Sequence, residues 1–334
     1  MNGSLRIVIP GGTGQVGELL TRHWLKAGHD VVVLTRGGRS SGRTVNWDGK
    51  TRGAWCAEID HADVVLNLAG RSVSCRYTPE NLRQMMDSRV DSTRVVGEAI
   101  AASTKPPKVW LQMSTATIYA HRFDAPNDEQ TGILGGDEPA VPAYWKRSVD
   151  IATAWERTLA EAPTPHTRKV ALRTAMVMAP RGDVATTDNI FSVLSTLTRL
   201  GLGGAVAGGR QYVSWIHGDD FCAAADFILD HAEIEGPVNV AAPNPLPQRE
   251  FMAALRAALH VPIGLPATAW MLAIGAAVMN SDPELLLKSR RVVPGRLLDA
   301  GFTFTHPSWR QAVVDLDTRS RPAMNEGAVA SRKG

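Results

Sequence analysis

The chain has 334 residues, 44% hydrophobic and 21% charged, enough to bury the core of one large α/β domain or of such a domain with a smaller lobe, and this excludes a disordered chain. Its 36 basic and 33 acidic residues leave a formal net charge of +3 without a clustered basic face, so no nucleic-acid partner is expected. Three widely spaced cysteines, Cys56, Cys75 and Cys222, offer neither a disulfide framework nor a CxxC metal site, which points to a reduced, cytoplasmic compartment.

From the N-terminus, Arg6 to Ile9 reads as a buried strand with no apolar signal core before it. Val16 to Ala27 reads as a helix stopped by Gly28, and Val31 to Thr35 as a second β-branched strand. A faint third strand lies near Thr44 to Trp47, a fourth at Asp63 to Asn67 and a fifth at Lys108 to Ser114. The long amphipathic helix Asn81 to Ser103 precedes Lys105-Pro106-Pro107, which ends it. Val149 to Glu161 is another helix and Lys169 to Arg173 another strand. Strands alternating with helices predict a doubly wound parallel sheet, an α/β Rossmann architecture.

After about Met178 the pattern changes to a glycine-dense stretch, Gly201 to Gly209, and recurrent prolines, which suggests a smaller C-terminal substrate lobe. Val238 to Ala241 still reads as a strand returning to the main sheet, so the lobe is expected to be interleaved with the first domain. The division expected is residues 1–178 for the Rossmann domain, 179–320 mostly for the lobe, and 321–334 for a disordered tail. Ala267 to Met279 is too short to span a bilayer and reads as a buried helix, so no membrane is expected.

Between the first strand and helix, Gly11, Gly12, Thr13, Gly14, Gln15, Val16 and Gly17 satisfy both the GxGxxG and the GxxGxxG spacing. Glycine is needed there for a tight turn, for close approach of backbone to a pyrophosphate, and for close packing of helix on strand. The strand–glycine–helix–strand context makes this a dinucleotide cradle. At the end of the second strand an NAD-specific site would carry an acidic residue for the ribose 2′-hydroxyl, whereas this chain has Thr35 and Arg36, with Arg39 and Arg43 close behind. A guanidinium offers a 2′-phosphate charge-assisted bidentate hydrogen bonds, so NADP(H) is the expected cofactor.

With Asn67-Leu68-Ala69-Gly70 after the fourth strand and Ser114-Thr115-Ala116-Thr117-Ile118-Tyr119 after the fifth, the chain resembles an extended short-chain dehydrogenase/reductase. Ser88-Arg89-Val90, Trp155-Glu156, Gly209-Arg210-Gln211, Ser214 to Asp220, Ala242-Pro243-Asn244-Pro245 and Arg291-Val292-Val293-Pro294 narrow the resemblance further. They are similar to an atypical epimerase family, the nucleoside-diphosphate-sugar epimerase or cell-division-inhibitor-like proteins with a short C-terminal domain of unknown function. That resemblance implies an oxidoreductase or epimerase with cofactor contacts from Leu68, Ala69, Gly70, Arg89 and the segment near Val177. It also makes a homodimer through Asn81 to Ser103 and Val149 to Glu161 an expectation.

The usual chemistry of that kin needs a tyrosine with a lysine four residues on and a Ser or Thr on the fifth strand. Taking Glu156 as the glutamate that follows the lysine by four, the tyrosine and lysine positions fall on Ser148 and Ala152. Lys146 remains as a lysine that could reach the site from the loop before the helix. Ser114, as a site contact or as plain strand capping, and Tyr119, as a phenol turned toward the nicotinamide, are the catalytic candidates. Arg210, Trp215 and His217 combine an anion fork, an aromatic wall and a titratable ring; either they clamp a substrate, or Trp215 is core, His217 is satisfied by backbone and Asp219-Asp220 cap a helix. No pair of metal ligands stands at useful spacing among the nine histidines, so no metal is expected. Two functions follow: an NADP(H)-dependent oxidoreductase or epimerase of a small molecule, or a non-catalytic NADP(H)-binding redox sensor or assembly partner.

Overall fold

The fold alternates strand and helix from its first turn, as the periodicity of the sequence demands. A computed structural model describes residues 3–139, 141–182, 189–267 and 282–321. The first part runs β1 (Arg6–Pro10), α1 (Gln15–Lys26), β2 (Asp30–Thr35), β3 (Arg43–Asn46), α2 (Cys56–Ile59), β4 (Val64–Asn67), α3 (Pro79–Ala101), β5 (Val109–Thr115), α4 (Lys146–Glu161) and β6 (Arg168–Thr174). After these come β7 (Met176–Met178), α5 (Ile190–Arg199), β8 (Tyr212–Val213), β9 (Trp215–His217), α6 (Gly218–Asp230), β10 (Gly236–Val240), β11 (Leu246–Pro247) and α7 (Gln248–Ala258). Three further helices close the described chain: α8 (Glu284–Leu287), α9 (Gly295–Asp299) and α10 (Trp309–Ser320).

Seven strands form one sheet in the order β10-β6-β5-β4-β1-β2-β3, every neighbouring pair parallel. Strand order therefore reverses between β1 and β4, the switch point beyond whose carboxyl ends open α/β sheets bind ligands. Because successive strand residues face opposite sides, Ile7, Ile9, Val31 and Val33 enter one core with α1 and α6, while Val8, Val32 and Leu34 enter another with α3. Burial on both faces is what a run of β-branched residues such as Asp30–Thr35 encodes.

A third core lies apart from the sheet, made of Met178, Phe191, Trp215, Phe251, Leu255, Trp309 and Leu316. Its strands β7 and β9 pair parallel, and β8 pairs antiparallel with β11. Between β9 and that core's α7, β10 rejoins the main sheet beside β6, so the two parts share the chain in alternation. The helix read at Ala267 to Met279 lies, but for Ala267, outside the described residues, as do residues 322–334 of the tail. Among the described residues no helix is long and apolar enough to cross a membrane.

Candidate active site

The glycine turn after β1 is shaped by contacts that tolerate no side chain. A Cβ on Gly17 would lie 2.3 Å from the Gly12 carbonyl oxygen, and one on Gly12 would lie 2.8 Å from Ile9 Cγ2. Gly11, at φ +75°, abuts Ala69, where a Cβ would come within 2.6 Å of Cα. Gly14 differs: a Cβ there would meet nothing within 4 Å. It is the N-cap of α1 and has no side chain with which to cap the first amides, which lie at the positive end of the helix dipole. Gln15 Nε2 donates to the Val177 carbonyl at 3.1 Å, which ties this turn to the β7 segment.

Behind the turn stands the loop that follows β2. Thr35 Oγ1 accepts from the amides of Gly37 (3.2 Å) and Gly38 (2.9 Å), an ST-type turn that bends the chain back at once. The buried Glu18 carboxylate of α1 accepts from the Ser41 amide, from the Ser41 and Ser40 hydroxyls and from Arg22. Burial alone would raise the Glu18 carboxyl, but these hydrogen bonds outweigh it and hold it below its ordinary range. Arg36 and Arg39 project from the loop thus pinned, exposed and without a hydrogen-bond or ion-pair partner among the described residues. Arg43, by contrast, is occupied by Glu58 at 2.6 Å.

At the switch point opens a cleft of about 350 Å³, lined by Leu68, Gly70, Arg71, Arg89, Ser114, Thr117, Ser148 and Trp155 among others. Asn67 shapes its floor, its Oδ1 accepting from the Ala69 amide while Nδ2 donates to Gln112 Oε1. Arg89 lies over the Trp155 ring at 4.9 Å and donates to the Met85 carbonyl; withdrawal from water pushes its guanidinium down to about 10. Ser114 donates to Glu156 Oε1 at 2.6 Å. Arg173 clamps that carboxylate through Nε at 2.9 Å and Nη2 at 2.7 Å.

The far wall of the cleft comes from the C-terminal segment. Ser148, on the cleft side of α4, donates to Glu284 Oε2 at 2.6 Å, and Glu284 is fully buried with its other oxygen unpartnered among the described residues. Burial drives the Glu284 carboxyl above its ordinary range, only partly offset by Arg290. Lys288 Nζ donates to the Thr117 carbonyl at 2.9 Å and Arg290 Nε to the Thr117 hydroxyl at 3.0 Å. Burial, with Arg290 nearby, brings Lys288 down to about 8. Farther along, Asn127 donates to the Arg291 carbonyl and Val293 to the Asn127 carbonyl, so this segment is stitched across the edge of the fold.

The sequence profile of the NAD dependent epimerase/dehydratase family matches residues 7–241, from β1 through the end of the main sheet. The chain belongs to that family. A second profile, the domain of unknown function DUF1731, matches residues 267–316, which include the far wall of the cleft. The Bacillus subtilis epimerase family protein YfhF is 28% identical over 316 residues, covering 93% of this chain and 98% of its own length. The mouse epimerase family protein SDR39U1 is 28% identical over 316 residues, covering 93% and 99%. The crystal structure of human SDR39U1 (isoform 2) with NADPH superposes with a TM-score of 0.80 at 26% identity, covering 94% of this chain and 99% of that one.

Within this epimerase-family fold the sequence-predicted site residues separate into two groups. Leu68, Gly70, Arg89 and Ser114 line the switch-point cleft, Gly11 of the cradle abuts Ala69 beside it, and Arg36 stands on the loop after β2. Tyr119 lies elsewhere: a short 3-10 turn, Ala116–Ile118, carries it into the core. There it is 2% exposed, its phenol donating to Asn239 Oδ1 and accepting from Arg173 Nη1, both at 2.9 Å. Burial also pushes this phenol above its ordinary range. The expectation that it turns toward the nicotinamide is therefore corrected. Lys146 is likewise absent from the cleft lining and sits half-exposed between Asp137 and Asp150. Ser148 and Ala152, where the family pattern would place tyrosine and lysine, both line the cleft.

Arg210, Trp215 and His217 form no clamp. Trp215 is fully buried against Trp309, ring centroids 5.0 Å apart, in the third core. His217 is the N-cap of α6, its Nδ1 accepting from the Asp219 amide at 3.1 Å, so the ring and not the aspartates caps that helix. Asp220 instead accepts from the amides of Thr305 and His306, and Arg210 is exposed above Phe123. The fold also unites residues that sequence spacing kept apart: His217, His306 and Asp315 each place a potential metal ligand within 4.8 Å of the others. Arg319 lies 3.4 Å from Asp315 and 2.7 Å from Asp219, so a fixed cation already offsets part of the acidic charge of this corner. Arg71, Tyr77, Glu284, Lys288 and Arg290 escaped the sequence reading; no short motif marks them, and Lys288 meets Thr117 from 171 positions away.

Proposed function

We propose that the chain is an NADP(H)-dependent oxidoreductase or epimerase acting on a small molecule held in the switch-point cleft. The observation that carries the reading is the pairing of a cradle closed to side chains, with Gly14 left open, and a pinned loop presenting Arg36 and Arg39 without carboxylate partners. The NADPH bound to human SDR39U1, a protein of the same family, supports it. The α1 amides would hold the pyrophosphate, Arg36 and Arg39 the 2′-phosphate, and Leu68, Ala69, Gly70, Arg89 and Val177 the remainder of the cofactor. When bound, the nicotinamide supplies the hydride donor or acceptor.

What the residues of this chain add follows from their hydrogen bonds. Because Arg173 fixes Glu156 as an acceptor, the Ser114 proton is committed to that carboxylate, and Ser114 offers the cleft its lone pairs. It therefore orients a substrate hydroxyl by accepting from it. Thr117 already has its hydroxyl oxygen engaged by Arg290, which leaves its proton for a substrate oxygen. Calorimetric titration with NADPH and NADH, followed by a panel of carbonyl compounds, quinones and nucleotide sugars monitored at the nicotinamide absorbance, tests this reading. Tighter NADPH binding and turnover that falls at least tenfold in Ser114→Ala are expected; tighter NADH binding would overturn the cofactor assignment.

One observation favours a second reading, a non-catalytic NADP(H) sensor or assembly partner. Ala152 lines the cleft at the family's lysine position and Lys146 is elsewhere, so the usual proton relay has no counterpart there. Tight NADPH binding with no turnover across the panel would select this alternative.

A further inference from the structure

Among the described residues the cleft is lined by two arginines, Arg71 and Arg89, and by no acidic residue. Just behind its Thr117 wall stand Lys288 and Arg290. All four cations are held by uncharged groups. Arg71 donates to the side-chain oxygens of Gln84 and Asn81, Arg89 to the Met85 carbonyl, Lys288 to the Thr117 carbonyl, and Arg290 to Thr117 and to the carbonyls of Leu285 and Lys288. Arg290 Nη2 is buried with no partner among the described residues.

The carboxylates nearest this group accept hydrogen bonds from other groups, and none among the described residues lines the cleft. Glu284 takes the Ser148 hydroxyl, Asp282 the Glu284 amide, Glu138 the amides of His121 and Gly136, and Glu156 is neutralised by Arg173. Glu284 and Glu138 still act through space on Lys288, and Glu284 on Arg290, but Arg71 and Arg89 meet no carboxylate among the described residues, and pinning them with neutral acceptors keeps their field available to a ligand.

We propose that the cleft is an anion site: the substrate carries a carboxylate or phosphate group that lies against Arg71, with Arg89, which also meets the cofactor, and Lys288 and Arg290, behind Thr117, adding to the field that holds it. This deepens the proposed function and rests on it, since the dinucleotide's own phosphates are assigned to α1 and the β2 loop and would leave Arg71 and Arg89 without an anionic partner. A guanidinium held by two side-chain amides is preorientated, so the geometry favours Arg71 as the group that docks the anion.

The test is calorimetry on the full chain saturated with NADP+, titrated separately with inorganic phosphate, with malonate and with uncharged glycerol. Saturable uptake of phosphate or malonate but not glycerol is expected, weakened at least tenfold in Arg71→Gln, largely restored in Arg71→Lys, and unchanged in the remote Arg52→Gln. Which of the two anions binds more tightly identifies the group. Absence of saturable uptake of either anion, or equal affinities in wild type and Arg71→Gln, overturns the proposal. If NADP+ itself does not bind, the same titration on the free protein separates the two readings. Uptake lost in Arg71→Gln upholds the anion site while the cofactor assignment falls; uptake lost only in Arg36→Ala places the anion in the cradle and overturns the proposal.

Discussion

The two sides of the cleft are built in different ways. The cradle side is largely local: Gly11 to Gly17 and Thr35 to Ser41 meet across one strand–helix–strand unit through contacts between residues fewer than thirty positions apart, with Gly11 against Ala69 and Gln15 on Val177 as the long-range exceptions. The far wall is assembled over long distances, Ser148 reaching Glu284 across 136 positions and Arg290 reaching Thr117 across 173. Backbone and absent side chains do the work on the first side, buried charges on the second. The cradle should therefore be sensitive to added volume, and the far wall and its supporting network to lost charge and to pH.

Removing charge from that network should have the largest effect. Arg173→Met leaves the Glu156 carboxylate buried beside Ser114 without its clamp, and a loss of ~3–5 kcal/mol is expected, read as a lower midpoint in urea unfolding. Gly17→Ala forces a methyl into the Gly12 carbonyl; a smaller loss of ~1–3 kcal/mol is expected together with complete loss of NADPH binding, and undiminished binding would show that the turn is not the cofactor's cradle. Tyr119→Phe strands Asn239 Oδ1 and Arg173 Nη1, which should cost ~1–3 kcal/mol in stability with NADPH affinity unchanged. A drop in affinity would return Tyr119 to the site.

The smallest effect is the one that reads charge alone. Lys288 loses its proton as pH rises through about 8, with Arg290, Glu284 and Glu138 as the charged groups acting on it. Anion uptake in the cleft should therefore be strongest below pH 8 and fall a few-fold between pH 7 and 9. In Lys288→Met the profile should be flat over that interval; the same fall in the variant would assign the titration to another group.

The sequence made the cradle legible because turn geometry, helix start and strand period are all encoded within a few residues of one another. The parallel sheet was legible for the same reason, and Val238 to Ala241 read as a strand of the main sheet, though not which strand it would join. Tyr119 was misplaced because the residues after β5 enter a single 3-10 turn, and a change of one turn decides whether a side chain faces the cleft or the Asn239 side of the core. His217 misled because a titratable ring and a helix cap look alike until the amide it accepts from is seen. The far wall could not be read at all: Glu284, Lys288 and Arg290 sit in a stretch whose meaning arises only when it is folded against Thr117 and Ser148.

The central claim is that the loop after β2 is pinned to receive a 2′-phosphate. Parallel calorimetric titrations of the wild type and of Arg36→Ala with NADPH and NADH test it most directly. NADPH should bind the wild type at least tenfold more tightly than NADH, and Arg36→Ala should erase most of that difference by weakening NADPH alone; equal or tighter binding of NADH by the wild type would contradict the account.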